Sequence, residues 1–227
     1  MVSRTGEVLV QMKVVQVKGG NGSGKTTIAK QLLELNGTAA GDIARLKWGD
    51  DNGKWRQYAM YLRNIGYILI GQYSLDKAMG GTDCYPTTVD DIKAAIRQAI
   101  DVELELAFGI YAIVFEGMMI STTSTFYHYL LELAEEYSDV EPLIVILKTT
   151  PDGCMKRIAA RPSKRTKKVP KFENIASKSE LVVRHAKTYD QQYVRWIDVE
   201  RTPEDAMVVR FLEEIGDGEL LDEVCEV

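Results

Sequence analysis

The stretch KVVQVKGGNGSGKTTIAKQLLEL, residues 13 to 35, constrains the fold more tightly than any other part of the chain. A β-branched run stops at two glycines and a helical spacing begins at once, with Ile28, Leu32 and Leu35 on one face. Between them, residues 19 to 26 read G-x-x-x-x-G-K-T. Glycines so spaced let successive backbone N–H groups turn inward around a phosphate with no Cβ in the way. The expected cradle is Gly19, Gly20, Asn21, Gly22, Ser23, Gly24, Lys25, Thr26 and Thr27. Lys25 reaches the β- and γ-phosphates, Thr26 offers its hydroxyl to Mg2+, and the helix N-terminus adds partial positive charge. ATP is the ligand this predicts.

The same strand, turn and helix open a βαβ unit. GYILIGQY (66–73), IYAIVFEG (110–117), PLIVILK (142–148) and YVRWIDV (193–199) continue the rhythm as apolar strands. Helical patterns are expected from Thr88, over 121–137 with Ser121 as cap, over 151–162, near 178–190 and over 202–215. Continuous apolar strands alternating with helices predict an α/β fold, a central parallel sheet sandwiched by helices, in a single domain over 1–227. Within it, residues 38–65, rich in aromatics and glycine, are expected to form a hairpin or substrate arm. Residues 161–178 are expected to form a basic lid, and the acidic tail over 216–227 a loosely ordered end.

Charge placement says more than the net −5. Residues 156 to 187 hold eleven Lys and Arg against two acids, leaving 17 bases and 31 acids elsewhere. One cationic surface on an acidic body suits an anionic ligand bound in one place. No apolar run approaches the roughly 20 residues that span a bilayer, and the start has no signal-peptide core. Cys84, Cys154 and Cys225 show no metal-ligand spacing and read as free thiols in a reducing cytoplasm. His128 and His185 are isolated.

Two acids fall at strand ends. Glu116 closes an apolar strand just before Gly117, which in a doubly wound sheet places it in the crevice beside the phosphate loop. There it can hold the shell of Mg2+ or take an acceptor's proton. Asp83, in GGTDCYP, lies past another strand end on the same edge and reads either as a turn former or as a catalytic group. Asp50 and Asp51 are explained by the DDNG turn. The aromatics Trp48, Trp55, Tyr58, Tyr61 and Tyr73 read as core rather than as a stacking platform. Arg157 and Arg161, four apart, share one helix face and can stabilise charge on a transferring phosphoryl group.

The chain has neither an Asn-Lys-x-Asp element nor a Leu-Ser-Gly-Gly-Gln signature, and it is short for a motor ATPase. That leaves a small phosphotransferase, which needs a lid to exclude water. TTPDGCMKRIAARP resembles the strand-to-lid segment of nucleoside and nucleotide kinases. Together, KGGNGSGKTT, ILIGQY with GGTD, VFEGMMIS, the TP…R…R helix and the basic run are similar to small phage-encoded P-loop kinases, among them 5-hydroxymethyluracil DNA kinases. The likeness spans about residues 13 to 212. It implies that Lys25 and Thr26 carry ATP and Mg2+, that Thr26 and Glu116 serve the metal, and that Asp83 or Glu116 is the acceptor-side base. Arg157 and Arg161 would then be lid arginines. It also implies a DNA acceptor gripped by the basic 156–187 region, the hydroxymethyl group of 5-hydroxymethyluracil in phage DNA. A deoxynucleoside monophosphate kinase acting on free nucleotides is the alternative, and a nucleotide-binding regulatory protein without transfer chemistry a third reading.

Overall fold

The computed structural model describes residues 11–49, 55–75, 80–83, 86, 88–106, 109–160 and 170–225. β1 (Met12–Lys18) is an almost wholly buried strand, and it leads through the glycine-rich turn into α1 (Lys25–Asn36). A hairpin of β2 (Ile43–Gly49) and β3 (Trp55–Leu62) follows, then the short buried β4 (Tyr67–Ile70). α2 (Val89–Leu106) carries Asp90 and Asp91 in its first turn, where the helix dipole favours negative charge. β5 (Ala112–Glu116), the helical turn α3 (Met118–Ser121), α4 (Thr125–Glu136) and β6 (Val140–Lys148) complete the centre. α5 (Pro151–Ala160), α6 (Phe172–Ala186), β7 (Val194–Asp198), α7 (Met207–Ile215) and α8 (Gly218–Cys225) close the chain.

The seven strands form one sheet in the order β2-β3-β4-β5-β1-β6-β7. From β4 to β7 every pairing is parallel, while β2 and β3 add an antiparallel extension. The fold is therefore the expected α/β sandwich, with a mixed rather than wholly parallel sheet. One face is covered by α2, α4 and α6 through residues such as Ile96, Phe126 and Val182. The other is covered by α1, α7 and α8 through Leu32, Phe211 and Leu220. β1 lies between β5 and β6, so the chain departs from its C-terminal end at the point where strand order reverses. Ligands of such sheets bind there.

Residues 38–65 are thus largely part of the sheet. Tyr58 and Tyr61 from this region, and Tyr73, are core, as their spacing suggested. The DDNG turn and the Trp48 and Trp55 side chains lie outside the described residues. Ser121 does not cap the long helix: it sits in α3 and donates to the Gly117 carbonyl, and α4 begins four residues later. α6 begins at Phe172, earlier than its periodicity implied, and takes in the end of the expected lid segment. Among the described residues, no helix is long and apolar enough to cross a membrane. Cys154 and Cys225 are free thiols, and Cys84 lies outside the described residues.

The acidic tail is the clearest departure from expectation. It folds as α8, because Asp217 is buried rather than solvated. The fully buried Tyr67 hydroxyl donates to Asp217 Oδ2, and Asp217 Oδ1 accepts from the Leu220 N–H at 3.2 Å, capping the helix. Tyr111 adds a bond to the Gly216 carbonyl at 2.9 Å. Asp217→Ala leaves the Tyr67 hydroxyl buried without its acceptor and removes the cap. A loss of roughly 3 kcal/mol in urea unfolding is expected; a loss under about 0.5 kcal/mol, the usual surface value, would show the tail to be dispensable.

Candidate active site

The glycine-rich turn meets the geometry its sequence demands. Gly22 has φ +82, and a Cβ there would lie 2.6 Å from the Cys154 carbonyl oxygen of α5. Gly24, at φ +99, passes the chain into α1. Ser179 of α6 fills the space beside Gly20, so α5 and α6 both buttress the loop. Lys25 is buried, and its ammonium donates to the Gly19 and Gly20 carbonyls at 3.0 and 3.1 Å. A cation held among backbone groups at a helix N-terminus is an arrangement that can receive an anion.

On the β5 side of the cradle, the Thr26 hydroxyl donates to Glu116 Oε1 at 3.0 Å. The two expected metal-side residues, 90 apart in sequence, therefore meet. Glu116 is only 2% exposed. Its backbone carbonyl accepts from the Thr82 N–H at 3.1 Å and the Thr82 hydroxyl at 2.9 Å. Gly81, at φ +75, presses against the carboxylate itself: a Cβ would lie 2.5 Å from Glu116 Oε1. That close approach accounts for the second glycine of GGTD, while the first, Gly80, packs against the Tyr73 ring.

Asp83 is exposed, and both its oxygens accept from the Met118 N–H, at 2.9 and 3.0 Å. It anchors the turn immediately after Glu116. A single loop, 81–83, thus sets the position of the buried acid and of the backbone that follows it.

On the other side of the cradle, Arg157 of α5 donates to the Val199 carbonyl at 2.8 Å. With Gly24, Thr27, Val199, Glu204 and Met207 it lines a recess at the start of α1. Arg161 and the basic run to residue 169 lie outside the described residues. Among the described residues, no cluster of His, Cys, Asp and Glu could hold a metal by itself. The oxygens of Thr26 and Glu116 are hard donors of the kind Mg2+ prefers when a nucleotide's phosphates complete its shell.

Lys18 belongs to no recognisable motif. It is the last residue of β1 and fully buried. Its amine donates to the Thr123 carbonyl at 2.7 Å and the Tyr189 hydroxyl at 2.9 Å, tying the α3–α4 connection and the end of α6 to the strand beneath the cradle. Burial pushes its pKa down to about 7. Above about pH 7 the amine is neutral, and its two N–H donors are both used. The signal was present: Gln16 and Lys18 are polar residues two apart in an apolar strand, hence on one face.

The sign of the linked stability follows. Between about pH 7 and the ordinary lysine range, the unfolded chain holds a proton at Lys18 that the folded chain has released. Lys18 thus makes stability rise with pH, by up to about 1.4 kcal/mol per unit. Urea midpoints at pH 7.5 and 9.5 should rise more in wild type than in Lys18→Met. Equal rises would show that Lys18 keeps its charge when folded.

No family model matches the chain, and no curated protein does. Among solved structures, the chain is similar to deoxyadenosine kinase from M. mycoides with bound dATP. Identity is 12%, coverage 89% of this chain and 99% of that one, and the TM-score 0.42. It is also similar to a structure of that kinase with the products dCMP and a flexible dCDP, at 10% identity, 90% and 99% coverage and TM-score 0.41. Likenesses this distant carry no argument about chemistry, which rests on the geometry of the site.

Proposed function

We propose that the chain is an ATP-dependent phosphotransferase acting on a small nucleotide-type acceptor. The observation that carries this reading is the meeting of Thr26 and Glu116 at 3.0 Å on one side of a glycine-rich cradle that encloses Lys25. The cradle N–H groups and Lys25 hold the β- and γ-phosphates, and Thr26 with Glu116 marks the transfer end. Mg2+, when bound, neutralises charge on the β- and γ-oxygens. Glu116 orients the acceptor's nucleophilic oxygen and draws on its proton, and Asp83 keeps the 116–118 backbone in register.

A small acceptor is favoured because Glu116 is almost wholly buried. A hydroxymethyl group within duplex DNA could reach it only after its base is flipped out, at a cost of a few kcal/mol. One observation favours a polyanionic acceptor such as DNA: the eleven Lys and Arg against two acids over 156–187 exceed what one triphosphate needs.

An acceptor panel with γ-labelled ATP and Mg2+ separates the two. Free deoxynucleosides and deoxynucleotides, unmodified DNA and 5-hydroxymethyluracil DNA are offered in parallel. Label on the free compounds supports the small acceptor. Label on modified DNA alone transfers the case to the polymer, and ATP binding without label on any acceptor leaves only the regulatory reading.

A further inference from the structure

Three strand-end elements converge on the side of the cradle away from Glu116: the end of β6, the first turn of α5 and the connection after β7. Glu200 sits at their junction. Its Oε1 accepts from the Thr149 hydroxyl at 2.6 Å, the Thr150 N–H at 3.0 Å and the Thr150 hydroxyl at 3.1 Å. Thr150 Oγ1 in turn accepts from the Gly153 N–H at 3.0 Å, which caps α5. At Gly153 any Cβ would overlap the Glu200 carboxylate, so the helix is drawn against it as closely as the backbone allows.

Arg157 lies one turn further along α5. Among the described residues it donates to the Val199 carbonyl at 2.8 Å and, at the limit of bonding distance, to the Thr149 hydroxyl at 3.5 Å. Val199 is the residue directly before Glu200, and Thr149 is a residue that Glu200 holds. The groups that place the guanidinium are thus the groups that Glu200 ties together. The donors from Thr149 and Thr150 also hold the Glu200 carboxyl below its ordinary pKa, so it stays ionised at neutral pH. An exposed ion pair alone would fix little, whereas three bonds onto one oxygen from neighbouring fixed donors specify a geometry.

We propose that Glu200 is a positioning residue for Arg157, holding its guanidinium at the recess beside Gly24 and Thr27, and that Arg157 there contacts a nucleotide seated in the cradle. The inference rests on the nucleotide reading above. It assigns Glu200 no contact with the ligand; its influence runs through α5 and the 199–200 peptide.

The test is ATP affinity by calorimetry, at fixed Mg2+, for wild type, Arg157→Ala, Glu200→Ala, the double variant and Glu200→Gln, with a melting temperature for each. Each alanine variant should weaken ATP by about tenfold, the scale of one charge-assisted hydrogen bond. The double variant should bind no more weakly than Arg157→Ala alone, since both changes remove the same guanidinium placement. Glu200→Gln keeps an accepting oxygen and should recover most of the affinity. Losses that multiply to about a hundredfold overturn the inference. So does a Glu200→Ala variant that melts lower yet binds ATP normally. A wild type that binds ATP, with Arg157→Ala binding it equally well, sinks this inference alone. A wild type that binds no ATP overturns the nucleotide reading as well.

Discussion

Glu116→Gln should lower kcat by about 10²- to 10⁴-fold, the range lost with a positioned acid–base group, while ATP affinity changes by no more than a few-fold. The substitution is close to isosteric. Gln retains an oxygen to accept from the Thr26 hydroxyl, and the bonds from Thr82 go to the Glu116 backbone, which does not change. What disappears is the negative charge and the basic oxygen of an almost wholly buried group. Steady-state kinetics on the acceptor found in the panel, with calorimetric ATP binding beside it, measure both quantities. Asp83→Asn is the companion. Its amide oxygen still accepts from the Met118 N–H, so a loss below about tenfold is expected if Asp83 only anchors the turn. A larger loss in Asp83→Asn than in Glu116→Gln would move the base from Glu116 to Asp83.

Gly81→Ala is the second large effect, and it acts through geometry alone. Gly81 has φ +75, and its new Cβ would stand 2.5 Å from Glu116 Oε1 and 2.8 Å from the Glu116 carbonyl oxygen. Neither is the far end of a flexible chain: the carboxylate is held by Thr26 and the carbonyl by Thr82. The loop must retreat or the acid must swing away from the cradle. Displacement of a reacting group by about 1 Å costs on the order of 10² in rate, and the left-handed backbone costs roughly 1 kcal/mol or more in stability. Gly109→Ala separates the two contributions. Gly109 has φ +73 with open space around it, so that variant should lose stability and keep its rate. Should Gly81→Ala also retain its rate, the close approach to Glu116 has no functional consequence.

The legible part of the molecule was the part governed by local rules. The cradle follows from glycine spacing after a β-branched run, and Glu116 from its place at a strand end in a doubly wound sheet. That Thr26 and Glu116 touch follows from both together, because β1 and β5 are neighbours and their ends are in register. The paired glycines of GGTD signal close backbone approach, but what approaches them, the Tyr73 ring at Gly80 and the Glu116 carboxylate at Gly81, is set by tertiary packing. Glu200 carried no local signal: it is one acid among several after β7, and its donors lie 50 and 51 residues away. The tail misled for a related reason. Its acidic composition reads as a loosely ordered end, yet one acid, Asp217, is turned inward by a tyrosine 150 residues earlier. Residues 38–65 read as a hairpin or a substrate arm; the hairpin forms, but its pairing to β4 carries no sequence signal, since register along a sheet edge is a long-range property.

The measurement that reaches the central claim most directly is calorimetric titration of ATP into the wild-type chain, with and without Mg2+, beside Lys25→Met and Thr26→Val. The expected result is micromolar-order binding, about −8 kcal/mol, tightened by Mg2+. Lys25→Met should abolish it, and Thr26→Val should lose mainly the response to Mg2+. Binding that is absent in wild type, or that persists unchanged in Lys25→Met, would contradict a phosphate cradle at residues 19 to 26.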